Sequence, residues 1–141
     1  MSAPGRGRFP VSAARLWGPA VGWACAIFFV SSASSPVLRP PGPDYALHAV
    51  AYGLLAVLVC RALAGGLGHP LEPRWALLGV LITTLYGTSD ELHQMFVPGR
   101  MAEMRDLVAD AAGAVIGSGI AYGGTRVGRL LAAPPWRGRV L

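Results

Sequence analysis

Four stretches of this chain are almost continuously apolar, and proline, glycine, serine and arginine separate them. The first runs from Leu16 to Ser32 without a charge, and Pro19 is placed in its first turn, where a missing N–H is tolerated. The second runs from about Ala46 to Leu63 and is broken by Gly65-Gly66, Gly68 and Pro70. The third begins at Trp75 and stays uncharged through Ser89. That is about 22 Å of helix at about 1.5 Å per residue, short of a hydrocarbon core about 30 Å thick. The helix is therefore expected to continue through Asp90-Glu91-Leu92-His93-Gln94, which would sit at or just inside one membrane face. The fourth covers roughly Leu107 to Tyr122, with Asp110 inside it. None of these runs alternates as the strands of a membrane barrel do.

The pattern predicts an all-α, polytopic membrane protein, a four-helix transmembrane bundle with spans at about 16–32, 46–63, 75–94 and 106–123. Residues 1–15 form a basic tail expected to be disordered, and 124–141 a second basic tail. The first run, followed by Ser-Ala-Ser-Ser, also reads as a signal-peptide core. A retained span is preferred, because further spans follow that need orienting.

Composition sharpens this picture. The 141 residues are 53% hydrophobic and only 13% charged, against about 25% charged in a soluble domain. All twelve basic side chains are arginine, and the net charge is +5. The arginines sit at the chain ends and between apolar runs, not on one amphipathic face, so anionic lipid headgroups are the expected partners and nucleic acid is not. Two cysteines, Cys25 and Cys60, lie within apolar runs and are expected to be buried packing residues, not a disulfide framework.

Charge also gives an orientation. With four spans, Arg6, Arg8, Arg15, Arg61, Arg74, Arg126, Arg129, Arg137 and Arg139 fall on one side, and Arg39, Arg100 and Arg105 on the other. The positive-inside rule then predicts both termini in the cytoplasm and a multi-pass protein of the cytoplasmic (inner) membrane.

In that arrangement the unusual residues gather. Asp44, His48 and Tyr52 repeat every four residues and share a helix face. Asp90, His93 and Gln94 share another, and Asp106 and Asp110 a third, continuous with Gly113 and Gly117. An antiparallel bundle brings these helix ends to one face, extracytoplasmic by the arginine count. The acid-bearing stripe should be packed, because a charge facing lipid costs about 2.5–3.5 kcal/mol or more. Gly113-xxx-Gly117 and Gly119-xxx-Gly123 allow close helix approach and suggest self-association through those four residues.

Three roles stay open. The cluster is a buried polar network tying short helices together, which makes the chain a structural or accessory subunit. Or it is catalytic, with His48, Asp90, Glu91 and His93 as candidate catalytic residues and His48, Asp90 and His93 as candidates for a divalent metal that activates water. Neither His-Glu-xx-His spacing nor an activated Ser or Cys motif is present, so the residues favour a non-enzymatic role and no cofactor is predicted. Or it recognises an extracytoplasmic ligand, with Tyr52, Gln94, Arg100, Asp106 and Asp110 as binding residues and Arg100 and Arg105 as anion contacts.

The stretch Tyr86-Gly-Thr-Ser-Asp-Glu-Leu-His-Gln-Met-Phe-Val-Pro-Gly-Arg100 resembles the signature of the VanZ-like family, roughly G-x-x-D-E-x-H-Q-x-F-x-P-G-R. Asp106, Asp110 and Gly113 resemble its second part, D-x-x-x-N/D-x-x-G. Upstream, Asp44, His48 and Tyr52 match D-K-x-x-H-x-x-x-Y, with Tyr45 at the lysine position. The resemblance covers roughly 44–117. It implies a small bacterial membrane protein whose family namesake is associated with resistance to the glycopeptide teicoplanin. The expected function is recognition or modification of a cell-envelope component: a glycopeptide, a cell-wall precursor or a lipid-linked phosphate. A metal-dependent membrane hydrolase is the rival, and a non-catalytic accessory subunit the third reading.

Overall fold

The computed structural model describes residues 12–34 and 44–132. Arg6, Arg8, Arg39, Arg137 and Arg139, and most of the 1–15 tail and the first loop, lie outside the described residues. The described residues form four helices and no strand: α1 (Ala13–Ser31), α2 (Asp44–Leu63), α3 (Pro73–Gln94) and α4 (Met104–Ala132).

Sequential helices run antiparallel. Arg61 at the end of α2 meets Leu16 at the start of α1, and Trp23 donates its indole N–H to the Ala51 carbonyl at 2.9 Å. Cys60 of α2 and Ser118 of α4 both lie against Gly79 of α3, while Asp110 lies against Gly87. The interior is partly polar and the outside apolar. Thr83 and Asp110 are 0% exposed and Ser118 2%, whereas Phe29 is 73%, Val50 72% and Leu77 71% exposed. That inversion suits lipid, where apolar side chains need no burial and polar ones must face the bundle. Three helices, namely α1, α2 and the Met104–Arg129 part of α4, are long and apolar enough to cross a membrane. At 22 residues α3 is long enough too, but the polar residues at its C-terminal end keep it outside that group.

The tightest joint is between α2 and α4, and glycine makes it. A Cβ on Gly113 would collide with the Ala49 carbonyl oxygen, and one on Gly117 with the Gly53 carbonyl oxygen. Gly113 and Gly117 are therefore packed against α2 of the same chain. A Cβ on Gly119 or Gly123 would meet no described atom from outside its own helical turn within 4 Å.

Three details differ from the pattern-based expectation. First, α1 begins at Ala13, so Pro19 is interior to it. Proline cannot donate to the carbonyl four residues back, which is that of Arg15. The Arg61 guanidinium fills the gap, donating to the carbonyls of Leu16 at 3.1 Å and Arg15 at 3.4 Å. Second, α4 runs past Gly123 to Ala132, into the segment expected to be an unstructured tail. Thr125 holds that turn, accepting from the Leu71 N–H and donating to the Tyr122 carbonyl. Third, Cys60 is buried but Cys25 is exposed on the outside of α1.

At the end of α2, Gly65 has φ of 83° and the Gly66 N–H returns to the Arg61 carbonyl at 2.9 Å. That left-handed glycine cap satisfies orphan carbonyls and turns the chain toward α3.

Candidate functional site

The C-terminal ends of α1 and α3 and the N-terminal ends of α2 and α4 meet at one end of the bundle. The polar residues singled out from spacing converge there. His48, one turn into α2, is the hub. Its Nδ1–H donates to Asp110 Oδ1 at 2.9 Å, and the same nitrogen lies 3.8 Å from Glu91 Oε1. Its Nε2 faces Asp106 Oδ2 at 4.0 Å. Thus α2, α3 and α4 each supply a group to one buried knot. Glycine lets it form: Gly87 leaves the room that the Asp110 carboxylate occupies. Tyr52, a turn below, stacks its ring on His48 at a centroid separation of 6.0 Å. Its buried hydroxyl lies beside Asp90 but makes no hydrogen bond among the described residues.

A second group leans on α1. Ser31 Oγ donates to Asp90 Oδ1 at 2.6 Å, and Gln94 Nε2 donates to Asp90 Oδ2 at 3.2 Å and Glu91 Oε1 at 3.3 Å. Gln94 thereby couples the two groups. His93 leaves that face: its Nε2 shares a hydrogen bond with Ser32 Oγ at 2.9 Å, and its ring stacks on Phe28 at 4.7 Å. Ser31, Ser32 and the Glu103 N–H, which donates to Glu91 Oε2 at 3.1 Å, did not stand out in the sequence. The serines carry a usable signal, two hydroxyls at the end of an otherwise apolar helix that finishes on the acidic side.

Arg100 follows the Pro98-Gly99 turn, where Gly99 takes φ of 78°. It folds inward, with a side chain only 6% exposed. One terminal nitrogen donates to the Val30 carbonyl at 3.1 Å, the other lies 3.9 Å from Asp44 Oδ2, and Nε is buried without a hydrogen-bond partner among the described residues. Arg105, by contrast, is exposed.

Between α1 and α2 a cleft of about 420 Å³ opens onto this end. Trp23, Ile27, Val30, Leu47 and Val50 make its apolar walls, and Ser31, Asp44, His48, Tyr52, Asp90 and Arg100 its polar lining. A larger cavity of about 530 Å³ at the opposite end has Arg61 and Arg129 in its lining but no carboxylate. The chemistry is concentrated at the first.

The sequence model of the VanZ/LLP1 family matches residues 44–127, which takes in every polar residue of α2, α3 and α4 just described. The chain belongs to the VanZ/LLP1 family. No curated protein and no solved structure matches it. The match begins at the first residue of α2, so α1 lies outside it although α1 walls the cleft.

In this VanZ-family chain the metal candidates read from spacing separate. His48 remains in the knot, but Asp90 and His93 are turned to Ser31, Ser32 and Phe28 on α1. The group whose ligand atoms all lie within 4.8 Å of one another is His48, Glu91 and Asp110. The reason is helical: Asp90 and Glu91 are about 100° apart around α3, so one acid faces α1 and the other faces α2 and α4.

Proposed function

We propose that this VanZ-family protein recognises an amphiphilic component of the bacterial cell envelope, such as a lipid-linked phosphate or cell-wall precursor, in the cleft between α1 and α2. The cleft carries the reading. Its apolar walls suit an acyl or isoprenyl chain, and its polar lining suits a headgroup with both hydrogen-bonding and charged parts. A glycopeptide-resistance role of the kind associated with the family's namesake fits the same site, through altered access to a precursor.

The reading includes a topology: four spans in the cytoplasmic membrane, both termini inside, and the polar end outside. The arginine distribution supports it, as does the placement of the α3 polar turn level with the starts of α2 and α4. In this arrangement α3 crosses while shielded by α2 and α4, which its buried Gly79, Thr83 and Gly87 favour.

The test is to purify the chain from cells and analyse co-purifying lipids, comparing wild type with Arg100→Gln and Val50→Trp. Enrichment of one phospho- or pyrophospholipid, reduced in both variants, is expected. Identical lipid content in all three would overturn the reading. Precursor profiles and teicoplanin susceptibility with and without the gene then report the cellular role. A second reading, a hydrolase acting on the same amphiphile, is favoured by carboxylates and an imidazole beside the cleft. Accumulation of intact precursor on deletion would support it.

A further inference from the structure

The knot at His48 is not explained by amphiphile recognition alone. Among the described residues, five buried or half-buried carboxylates (Asp44, Asp90, Glu91, Asp106 and Asp110) meet at this end of the bundle against Arg100, His48 and His93, with Glu103 and Arg105 exposed beside them. Arg100 is engaged near Asp44 and α1. Of the inner carboxylates, Glu91 and Asp110 have the His48 imidazole as their nearest described cationic group, and Asp106 has Arg100 as well. A surplus of negative charge in a low-dielectric interior is costly unless a cation or protons offset it.

The geometry points to a divalent transition-metal ion, Mn²⁺ or Zn²⁺ in class, held by His48 Nδ1, Glu91 and Asp110. Two ligand atoms on one ion, each about 2.1 Å from it, stand about 3.0 Å apart at a right angle and about 3.4 Å apart at a tetrahedral angle. His48 Nδ1 lies 2.9 Å from Asp110 Oδ1 and 3.8 Å from Glu91 Oε1, on either side of that range. All three ligand atoms lie within 4.8 Å of one another. One imidazole nitrogen with two carboxylates selects a first-row transition ion over an all-oxygen magnesium or calcium site.

An independent observation singles out the same place. Asp110 is 0% exposed, and its Oδ2, packed against Gly87, is buried with no hydrogen-bond partner among the described residues, although Oδ1 of the same carboxylate is bound to His48. A buried carboxylate oxygen without a donor carries a desolvation cost that an ion on the same carboxylate offsets. The surroundings complete the pattern. Asp106 lies 4.0 Å from the other ring nitrogen of His48, a favourable charge for a ligating imidazole, and Gln94 and the Glu103 N–H position Glu91. Binding requires a bare Nδ1, so a neutral His48 would carry its one proton on Nε2, toward Asp106.

The ion site stands on this geometry and not on the identity of the cleft's ligand, and it is tested without one. Full-length protein in detergent is stripped with chelator and titrated with Mn²⁺, Zn²⁺ and the spectroscopic probe Co²⁺. Bound metal is counted per chain after desalting. One ion per chain is expected, with Co²⁺ ligand-field bands. Glu91→Gln and Asp110→Asn should weaken binding by about tenfold or more. Glu72→Gln, an exposed carboxylate at the opposite end of the bundle, should stay within about twofold of wild type. If Asp110→Asn does not fold, Glu91→Gln decides the point. Absence of stoichiometric metal in the wild type, or equal binding by Glu91→Gln, overturns the assignment. An ion bound with no lipid enrichment would leave the metal site standing and remove the amphiphile.

Discussion

Adding one methyl group at Gly117 should do disproportionate damage. Its Cβ would fall inside van der Waals contact of the Gly53 carbonyl oxygen, 2.8 Å from the carbonyl carbon and 3.0 Å from the Gly53 Cα. All three are backbone atoms, so no side-chain rotation relieves the clash. Restoring ordinary contact moves α2 from α4 by about 1 Å. The same movement stretches the 2.9 Å His48–Asp110 hydrogen bond to about 3.9 Å, which no longer counts as one. Overpacking costs about 1–3 kcal/mol and a lost polar contact inside a membrane bundle about 0.6–1.7 kcal/mol. Gly117→Ala is therefore expected to destabilise by about 2–4 kcal/mol. Gly119→Ala is the matched control, because nothing lies within 4 Å of its Cβ position. It should be neutral or stabilising by up to about 1 kcal/mol, since alanine is the better helix former. Unfolding by SDS titration in mixed micelles, followed by circular dichroism, measures both. Equal stability of Gly117→Ala and wild type, or an equal loss in Gly119→Ala, would refute the joint as described.

Further outcomes are expected elsewhere. Tyr86 donates to the Ala24 carbonyl at 2.7 Å, so Tyr86→Phe should lose about 0.5–1.5 kcal/mol by the same titration, and no change would show that contact to be incidental. Arg61→Gln uncovers the Arg15 carbonyl that Pro19 leaves unpaired, and hydrogen exchange in the first half of α1 should rise several-fold while α4 is unaffected. Met101→Cys in a chain lacking Cys25 and Cys60 should react with an impermeant maleimide added outside intact cells, since Met101 is 79% exposed at the polar end; protection there would invert the topology. We also expect Gly123→Leu, on an open part of α4, to change any self-association without changing the fold, as read by cross-linking.

Much of the fold was legible because lipid imposes a simple code. Long apolar runs set the four helices, and spacing of four brought Asp44, His48 and Tyr52 to one face. The gathering of three helix ends then followed from antiparallel packing alone. What spacing could not resolve was which neighbour each face meets. Asp90, His93 and Gln94 lie within one α3 arc, yet Gln94 is buried beside Glu91 while His93 stacks on Phe28 of α1. Glu91, adjacent to Asp90 in sequence, is the residue that reaches His48. Likewise the Gly113 stripe was visible, but its partner was not. A Gly-xxx-Gly pattern reads the same whether another copy or the chain's own α2 lies against it. Pro19 misled because helix starts lack a strong signal where Ala13-Ala14 precede the apolar run.

The way α1 is attached has an evolutionary consequence. Among the described residues, three side chains from the rest of the bundle hydrogen-bond to the main chain of α1: Arg61 at Arg15 and Leu16, Tyr86 at Ala24, Arg100 at Val30. Main-chain carbonyls are supplied by any residue. Most of α1's own side chains are thus free to drift while the helix keeps its place, with Ser31 and Ser32 tied to the acidic end and Trp23 to α2. The family match begins at Asp44, beyond α1. Under the proposed function, α1 is the wall whose side chains could alter the shape of the cleft without disturbing the His48 knot behind it.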